Sequence, residues 1–355
     1  MELFNKDNRT ALEAKEYVQF LAFGPIAFEA ARALVNLGIL ASVEEARPAG
    51  AAIEAVARDA KLTAYGVRVL LEAGLGIGLL TVEEGRFHLT KAGHFLLHDE
   101  MSRVNVNFVN DICYRGMFDL EKSVVEGKPA GLKEFGDWTT IYEALSQLPD
   151  TAKASWLRFD HYYSDAAFPE VLPLVFKSKP RRILDVGGNT GRWALRCVQF
   201  SEDVQVCIAD LPGQLNMARE TIQHHERSAQ LTYFPINVLD QHSQLPSGFD
   251  ALWMSQFLDC FSEDQIRFIL AKCRKAMSPP SRLFILEPFW DRQRFRAAAF
   301  SLQMTSLYFT AMANGNSQMY SSGLFLSLLA DSGFVVEEQF DHLGVSHSLL
   351  VCRLP

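Results

Sequence analysis

The stretch ILDVGGNTGRWAL, residues 183–195, constrains the fold of this chain more than any other. It reads as an apolar strand that ends in an acid, turns on glycines and continues as a helix. In open parallel sheets a ligand sits outside the carboxyl ends of the strands, where such a turn lies. Gly187, Gly188 and Gly191 let the backbone turn tightly and approach a ligand. From Pro180 onward the same alternation continues. RRILDVGG, VQVCIAD, LTYFPIN, FDALWMS and SRLFILEP read as strands. Helices are expected at about 191–200, over LPGQLNMARETIQHH and over SEDQIRFILAKCRKAM. Apolar strands alternating with helices predict a parallel α/β sheet covered on both faces. FVVEEQFDHLGVSHSLLVCRL, at the end, predicts a closing antiparallel pair.

Spacing within the loop separates the cofactors that use such a turn. A dinucleotide fingerprint requires G-x-G-x-x-G. Counted from Gly187, the third residue is Asn189 and the sixth is Arg192; counted from Gly188, the third is Thr190. Both registers fail. Asp185, two residues before the first glycine, is out of place beside a pyrophosphate but suits a cofactor that carries a cation. The ammonium and sulfonium groups of S-adenosylmethionine are such cations. Asp210 ends the next strand, and a carboxylate there can accept from both ribose hydroxyls. Because Leu211-Pro212 follows, Asp210 also reads as the entry to a helix. The third strand is expected to end at Ile236-Asn237-Val238, where Asn237 can meet an exocyclic amine and Val238 can pack on a purine.

A chain of 355 residues exceeds what one core covers, so two or three domains are expected. The boundaries read as 1–100, 101–176 and 177–355. Residues 11–23 and 25–40 carry apolar side chains at helical spacing, with Gly38 near the second stop. AAIEAVARDA and LTAYGVRVLLEAGLGIGLL follow as helices, the latter capped by Thr63. TVEEGRFHLT then reads as strand–turn–strand with Glu84-Gly85 at the turn. Helix, turn, helix and a two-stranded wing form a winged-helix pattern. A DNA reader needs several basic and polar residues on its recognition helix. Here that helix offers Arg68, with Arg58 and Lys61 just before it, and the chain carries a net charge of −8. An apolar helix of this kind suits packing against another subunit, so neither nucleic acid nor a membrane surface is expected as a partner. Residues 101–176 read as a helical, aromatic-rich connector that contributes to the pocket, with glycine-containing breaks at 127–136.

These motifs resemble the plant-type and bacterial small-molecule O-methyltransferase family, which uses S-adenosylmethionine. Its motifs appear here as LDVGGNTG (184–191), DLP (210–212), FLDCFSED (257–264) and FILEP (284–288), in order and at matching spacing. The resemblance implies a Rossmann-like class I methyltransferase domain behind a mainly helical winged-helix domain that makes a homodimer. It also implies that Leu211 belongs to the cofactor site. Three departures stand out. Asp259 occupies the position of the family's catalytic His, and Ser255, expected to face the cofactor, replaces a common Lys. The segment that supplies a carboxylate to orient that His aligns with NGNSQMYSSG (314–323), which holds no acid. Glu287 remains from the acid–base group. Asp259 paired with Glu287 can serve as base with a raised pKa. Alternatively no base is needed, because alignment alone drives transfer of an activated methyl. Otherwise another group supplies the base, with His161, Tyr162 and Tyr163 as the candidates, or transferase activity is lost.

Within SWLRFDHYYSDAAF (155–168), His161, Tyr162 and Tyr163 are candidates for acceptor chemistry. Trp290, Phe300, Met304, Tyr308 and Met312 recur at helical spacing and can line an apolar slot or simply fill a core. The six cysteines form no CxxC pair and read as reduced thiols; no metal ion is expected. No apolar run reaches the roughly 18 residues of a membrane span, and MELFNKDNRT lacks a signal-peptide core, so a cytoplasmic protein is expected. The expected activity is methyl transfer from S-adenosylmethionine to an oxygen of a small aromatic or polyketide-like metabolite. Transfer to nitrogen or carbon, non-methylating chemistry with that cofactor and a regulatory winged-helix protein are the alternatives.

Overall fold

The computed structural model describes residues 4–355; residues 1–3 of the expected first domain lie outside it. The chain divides into two compact units, one ending at Asn107 and one spanning Phe108–Pro355.

In the first unit, helices Ala11–Ala22, Gly24–Asn36, Ile39–Glu45, Ile53–Ala60 and Ala64–Gly76 precede a hairpin of β1 (Leu80–Glu83) and β2 (Arg86–Leu89). Thr63 caps its helix by accepting from the Gly66 amide at 3.1 Å. Glu84 and Gly85, both at positive φ, make the two-residue turn that matches strand twist. Helix Lys91–His98 follows the wing. Leu34, Ile39, Leu40, Val43, Val56, Val67 and Leu71 are fully buried, each contributing about 1.5–3 kcal/mol. Helix Ala11–Ala22 buries none of its residues, and Leu12, Phe20, Phe23 and Ile26 are exposed. Among the described residues no single helix is long and apolar enough to cross a membrane. Helices Ala11–Ala22 and Gly24–Asn36 pass that test only as a pair bent by 62°.

The second unit is built on a seven-stranded sheet of order β5-β4-β3-β6-β7-β9-β8. Its strands are β3 (Arg182–Val186), β4 (Gln205–Asp210), β5 (Leu231–Pro235), β6 (Ala251–Ser255), β7 (Arg282–Glu287), β8 (Val335–Leu343) and β9 (His347–Arg353). β3 to β7 run parallel, and β9 slots antiparallel between β7 and β8. The Rossmann-like sheet and its closing antiparallel pair are thus as expected. β5 stops at Pro235, one residue before the expected Ile236–Val238, although the Ile236 amide still donates to the Asp210 carbonyl. Alternate residues of β3 and β6 enter opposite cores. Leu184, Val186, Leu252 and Met254 face one, while Ile183, Ala251 and Trp253 face the other. Trp193 stacks on Trp253 with ring centroids 3.9 Å apart. Because the chain leaves β3 outward through β4 and β5 and returns through β6, the strand order reverses beside β3. A crevice opens there at the carboxyl ends.

Between the units' boundary and β3, the chain runs through short helical turns into the helix Asp150–Val175. Its inner residues Ala167, Val171 and Val175 pack under the sheet. Residues 109–113 and 309–313 form π-helical turns within a third core around Ile112, Ile141 and Met312.

Candidate active site

The loop after β3 is shaped by its glycines. Gly187 has φ +75°, and a Cβ there would lie 2.1 Å from the Phe257 ring. At Gly188 a Cβ would meet Asp185 Oδ2 at 2.7 Å. Asn189 also takes a positive φ, which aims its amide at Asp210 Oδ2, 2.8 Å away. The other oxygen of Asp210 accepts from the Leu211 amide at 2.7 Å.

A cavity of about 470 Å³ opens in front of this loop. Asp185, Gly187, Gly188, Asp210, Leu211, Asn237, Val238, Ser255 and His161 lie on its wall. So do Tyr142, Trp156, Asp160, Gln256, Cys260 and Asn314. Gly191 does not; it packs against Ile222 at the start of helix Arg192–Phe200.

Asp259 and Glu287 also stand behind the wall. Glu287 is 1% exposed, and its Oε1 accepts from the amides of Phe257 and Leu258 at 3.0 and 2.8 Å. This ties the turn after β6 to the end of β7. Asp259, 4% exposed, accepts a weak hydrogen bond from the Cys260 thiol. Burial pushes Asp259 up to about 7. Glu287 is held well above the usual carboxylate range, by burial and then by Asp259.

The expected slot-lining residues are elsewhere too. Met304 and Phe300 are exposed, because helix Arg296–Tyr308 turns Ala299 and Leu302 inward instead. Met312 is core. Tyr308 is buried and accepts from Trp156 Nε1 at 2.7 Å, so it backs the cavity through Trp156. Trp290 packs against the third core. Tyr163 is wedged between Phe159 and Tyr162, with ring centroids 5.1 and 5.3 Å away.

Glu143 and three further carboxyl residues, Asp185, Asp210 and Asp160, line the cavity. Among the described residues Asp185 Oδ2 is buried with no hydrogen-bond partner, and burial followed by the charge of Asp210 holds it well above the usual carboxylate range. Asp210 is raised by burial to about 6, against the pull of two amides. Asp160 was not singled out from the sequence. Burial raises it to about 7, although Asn189 Nδ2 donates to one oxygen at 3.2 Å and Gln256 Nε2 to the other at 3.1 Å. His161, beside Thr190 Oγ1 at 3.0 Å, is lowered by burial to about 4 and is neutral near pH 7.

This wall fits S-adenosylmethionine. A cationic group beside the orphaned Asp185 oxygen would satisfy it and favour its ionised form. Asp210 keeps further lone pairs for hydroxyls, and Ile236 with Val238 gives an apolar seat. The Asn237 carboxamide oxygen already accepts from the Leu239 amide at 3.0 Å. One lone pair is left on it.

Comparison with known proteins agrees with this geometry. The family model described as O-methyltransferase domain matches residues 120–335, and the Dimerisation2-like domain model matches residues 15–87. The L-tyrosine C(3)-methyltransferase of Streptomyces lavendulae is 23% identical over 324 residues, covering 90% of this chain and 86% of its own length. In fold, the chain is similar to the apo crystal structure of the S-adenosylmethionine-dependent methyltransferase SibL. The TM-score is 0.73 at 24% identity, with 96% of this chain and 99% of that chain covered. It is also similar to human N-acetylserotonin methyltransferase in complex with S-adenosylmethionine, with a TM-score of 0.68 at 18% identity over 99% of each chain. The chain therefore belongs to the O-methyltransferase domain family and is an S-adenosylmethionine-dependent methyltransferase.

Proposed function

We propose that this methyltransferase acts on an oxygen of a small aromatic or polyketide-like metabolite, and that Asp160 receives the acceptor's proton. One observation carries this reading: Asp160 exposes a carboxyl to the cavity with its pKa raised to about 7, whereas Asp259 and Glu287 do not reach the wall. A base works best when its pKa lies near the working pH. Asn189 and Gln256 hold both oxygens of Asp160 in place. Tyr142 and Trp156 provide broad apolar surface on the same wall, which suits a flat ring. S-adenosylmethionine supplies an already activated methyl group. Asp185 and the Gly187–Gly188 turn receive its charged end, Asp210 its ribose, and Asn237 with Val238 its adenine.

The similarity to the L-tyrosine C(3)-methyltransferase of Streptomyces lavendulae supports a second acceptor, the ring carbon beside a phenol oxygen. Removing the phenolic proton makes both atoms nucleophilic, so the same Asp160 serves either. We further propose that the chain works as a homodimer through its N-terminal unit. The matched dimerisation domain and the exposed Leu12, Phe20, Phe23 and Ile26 support this.

The test is S-adenosylhomocysteine release by the full chain across a panel of one- and two-ring hydroxylated aromatics, with NMR of the product. An O-methyl or ring C-methyl product, lost in Asp160→Asn, is expected. Turnover unchanged by that substitution would remove Asp160 as the base. Binding of S-adenosylmethionine without turnover of any phenol would remove the acceptor class.

A further inference from the structure

We infer that Glu44, His94 and His98 in the N-terminal unit form a binding site for a divalent transition-metal ion, best suited to zinc. The three side chains come from two helices. Glu44 sits at the end of helix Ile39–Glu45, whose Ile39, Leu40 and Val43 are fully buried and fix its rotation. His94 and His98 are one turn apart on helix Lys91–His98, which Thr90 caps by accepting from the Gly93 amide at 3.1 Å. Residues four apart share a helix face, so both rings point the same way; their centroids are 4.7 Å apart.

The carboxylate lies between the imidazoles. Glu44 Oε1 is 2.8 Å from His94 Nδ1, and Oε2 is 2.5 Å from His98 Nε2. One ligand atom from each residue falls within 4.8 Å of the others. Zinc bonds of about 2.0–2.2 Å put tetrahedral donors roughly 3.3 Å apart, so small side-chain rotations bring the set onto an ion. Two imidazoles and one carboxylate leave a fourth position for water. This donor set favours zinc, copper or nickel over magnesium and calcium. The imidazole side chains are about half exposed, so an ion can reach them from solvent. Glu44 is already held below the usual carboxylate range, by His98 first and His94 next. Arg47 Nη1 lies 3.7 Å from Glu44 Oε1 and opposes a cation there. Arg47 also reaches the Leu89 carbonyl at 3.4 Å, an alternative anchor when an ion is bound. Bound metal would clamp helix Lys91–His98 to helix Ile39–Glu45.

Tag-free full chain stripped with a chelator is titrated calorimetrically with zinc chloride and, separately, magnesium chloride. Cobalt(II) absorption reads the coordination. One zinc per chain, no magnesium binding and a visible cobalt spectrum are expected. His98→Ala and Glu44→Gln are each expected to weaken zinc by about 100-fold, since loss of a mere orienting partner costs 10–100-fold. Far-UV circular dichroism checks that each variant is folded. Absence of saturable zinc binding by the parent chain overturns the proposal and leaves a hydrogen-bonded His–Glu–His cluster. Zinc binding that both folded variants keep overturns it equally.

Discussion

Asp160 on the cavity wall and the fully buried His347 are joined through one side chain, Gln256. Gln256 donates from Nε2 to Asp160 Oδ1 at 3.1 Å and accepts on Oε1 from His347 Nε2 at 2.7 Å. The direction of the amide puts the imidazole proton on Nε2, and burial lowers His347 to about 4, so it stays neutral near pH 7. Gln256 holds this position at φ +47°, a conformation side chains rarely adopt. The relay orients Asp160 without adding charge.

The first prediction is a pH profile. Asp160 accepts a proton only when ionised, and burial puts its pKa at about 7. kcat/KM for a phenolic acceptor should therefore rise with pH through about 7 and level off above it. Asp160→Asn should lower kcat/KM by about 100- to 10,000-fold and abolish that inflection. Calorimetry should show S-adenosylmethionine binding retained, which separates a chemical role from a collapsed site.

The second prediction concerns Asp210. Its carboxylate organises the loop by accepting from the Asn189 and Leu211 amides. Hydrogen bonds to a charged group are worth about 1.5–3 kcal/mol. Asp210→Ala should therefore weaken S-adenosylmethionine by about 10- to 100-fold, as read by isothermal titration. In the parent chain the carboxyl is raised to about 6, so affinity should hold above that pH and decline below it as the acceptor is protonated.

The third prediction separates two glycines. Gly187→Ala combines a left-handed backbone with a Cβ 2.1 Å from Phe257, and should cost about 2–4 kcal/mol and most cofactor affinity. Gly323→Ala lies in helix Ser322–Asp331 with nothing within 4 Å of the added Cβ. It should leave binding intact and shift stability by no more than about 1 kcal/mol, upward. Thermal unfolding of both variants gives the comparison.

The wall proposed to hold the cofactor was legible because its parts are contiguous. Strand, glycine turn and acid follow one another over residues 183–195, and local sterics decide them. The wall proposed to meet the acceptor was not, because it forms only on packing. Asp160 and Gln256 are 96 positions apart, and nothing near either one signals the other. A polar residue just past the end of β6 was the available hint for Gln256, since ligands gather at strand ends. Met304 misled for a related reason. Apolar residues at helical spacing mark a face, but spacing does not say whether core, cavity or solvent meets it. Asp259 was read from its place in a motif, and the short turn at Leu258–Cys260 presents Cys260 to the cavity instead.

The last prediction follows from Asp259 as a buried acid. Its pKa rises from an ordinary value of 3.8 to about 7, with burial as the main cause. A carboxyl raised on folding costs nothing below its unfolded pKa, where both states are protonated. The cost grows as pH rises from about 4 to about 7 and is complete above that. At about 1.4 kcal/mol per unit, the upper bound is about 4 kcal/mol. Asp259→Asn keeps the shape and removes the ionisation. The variant should match the parent in thermal stability at about pH 4 and exceed it at about pH 8. If Asp259 instead carried a needed negative charge, for instance against a cation in the folded chain, the order at high pH would reverse. Catalysis gives the complementary reading. Turnover that survives Asp259→Asn but not Asp160→Asn would locate the proton acceptor on the cavity wall rather than in the motif position.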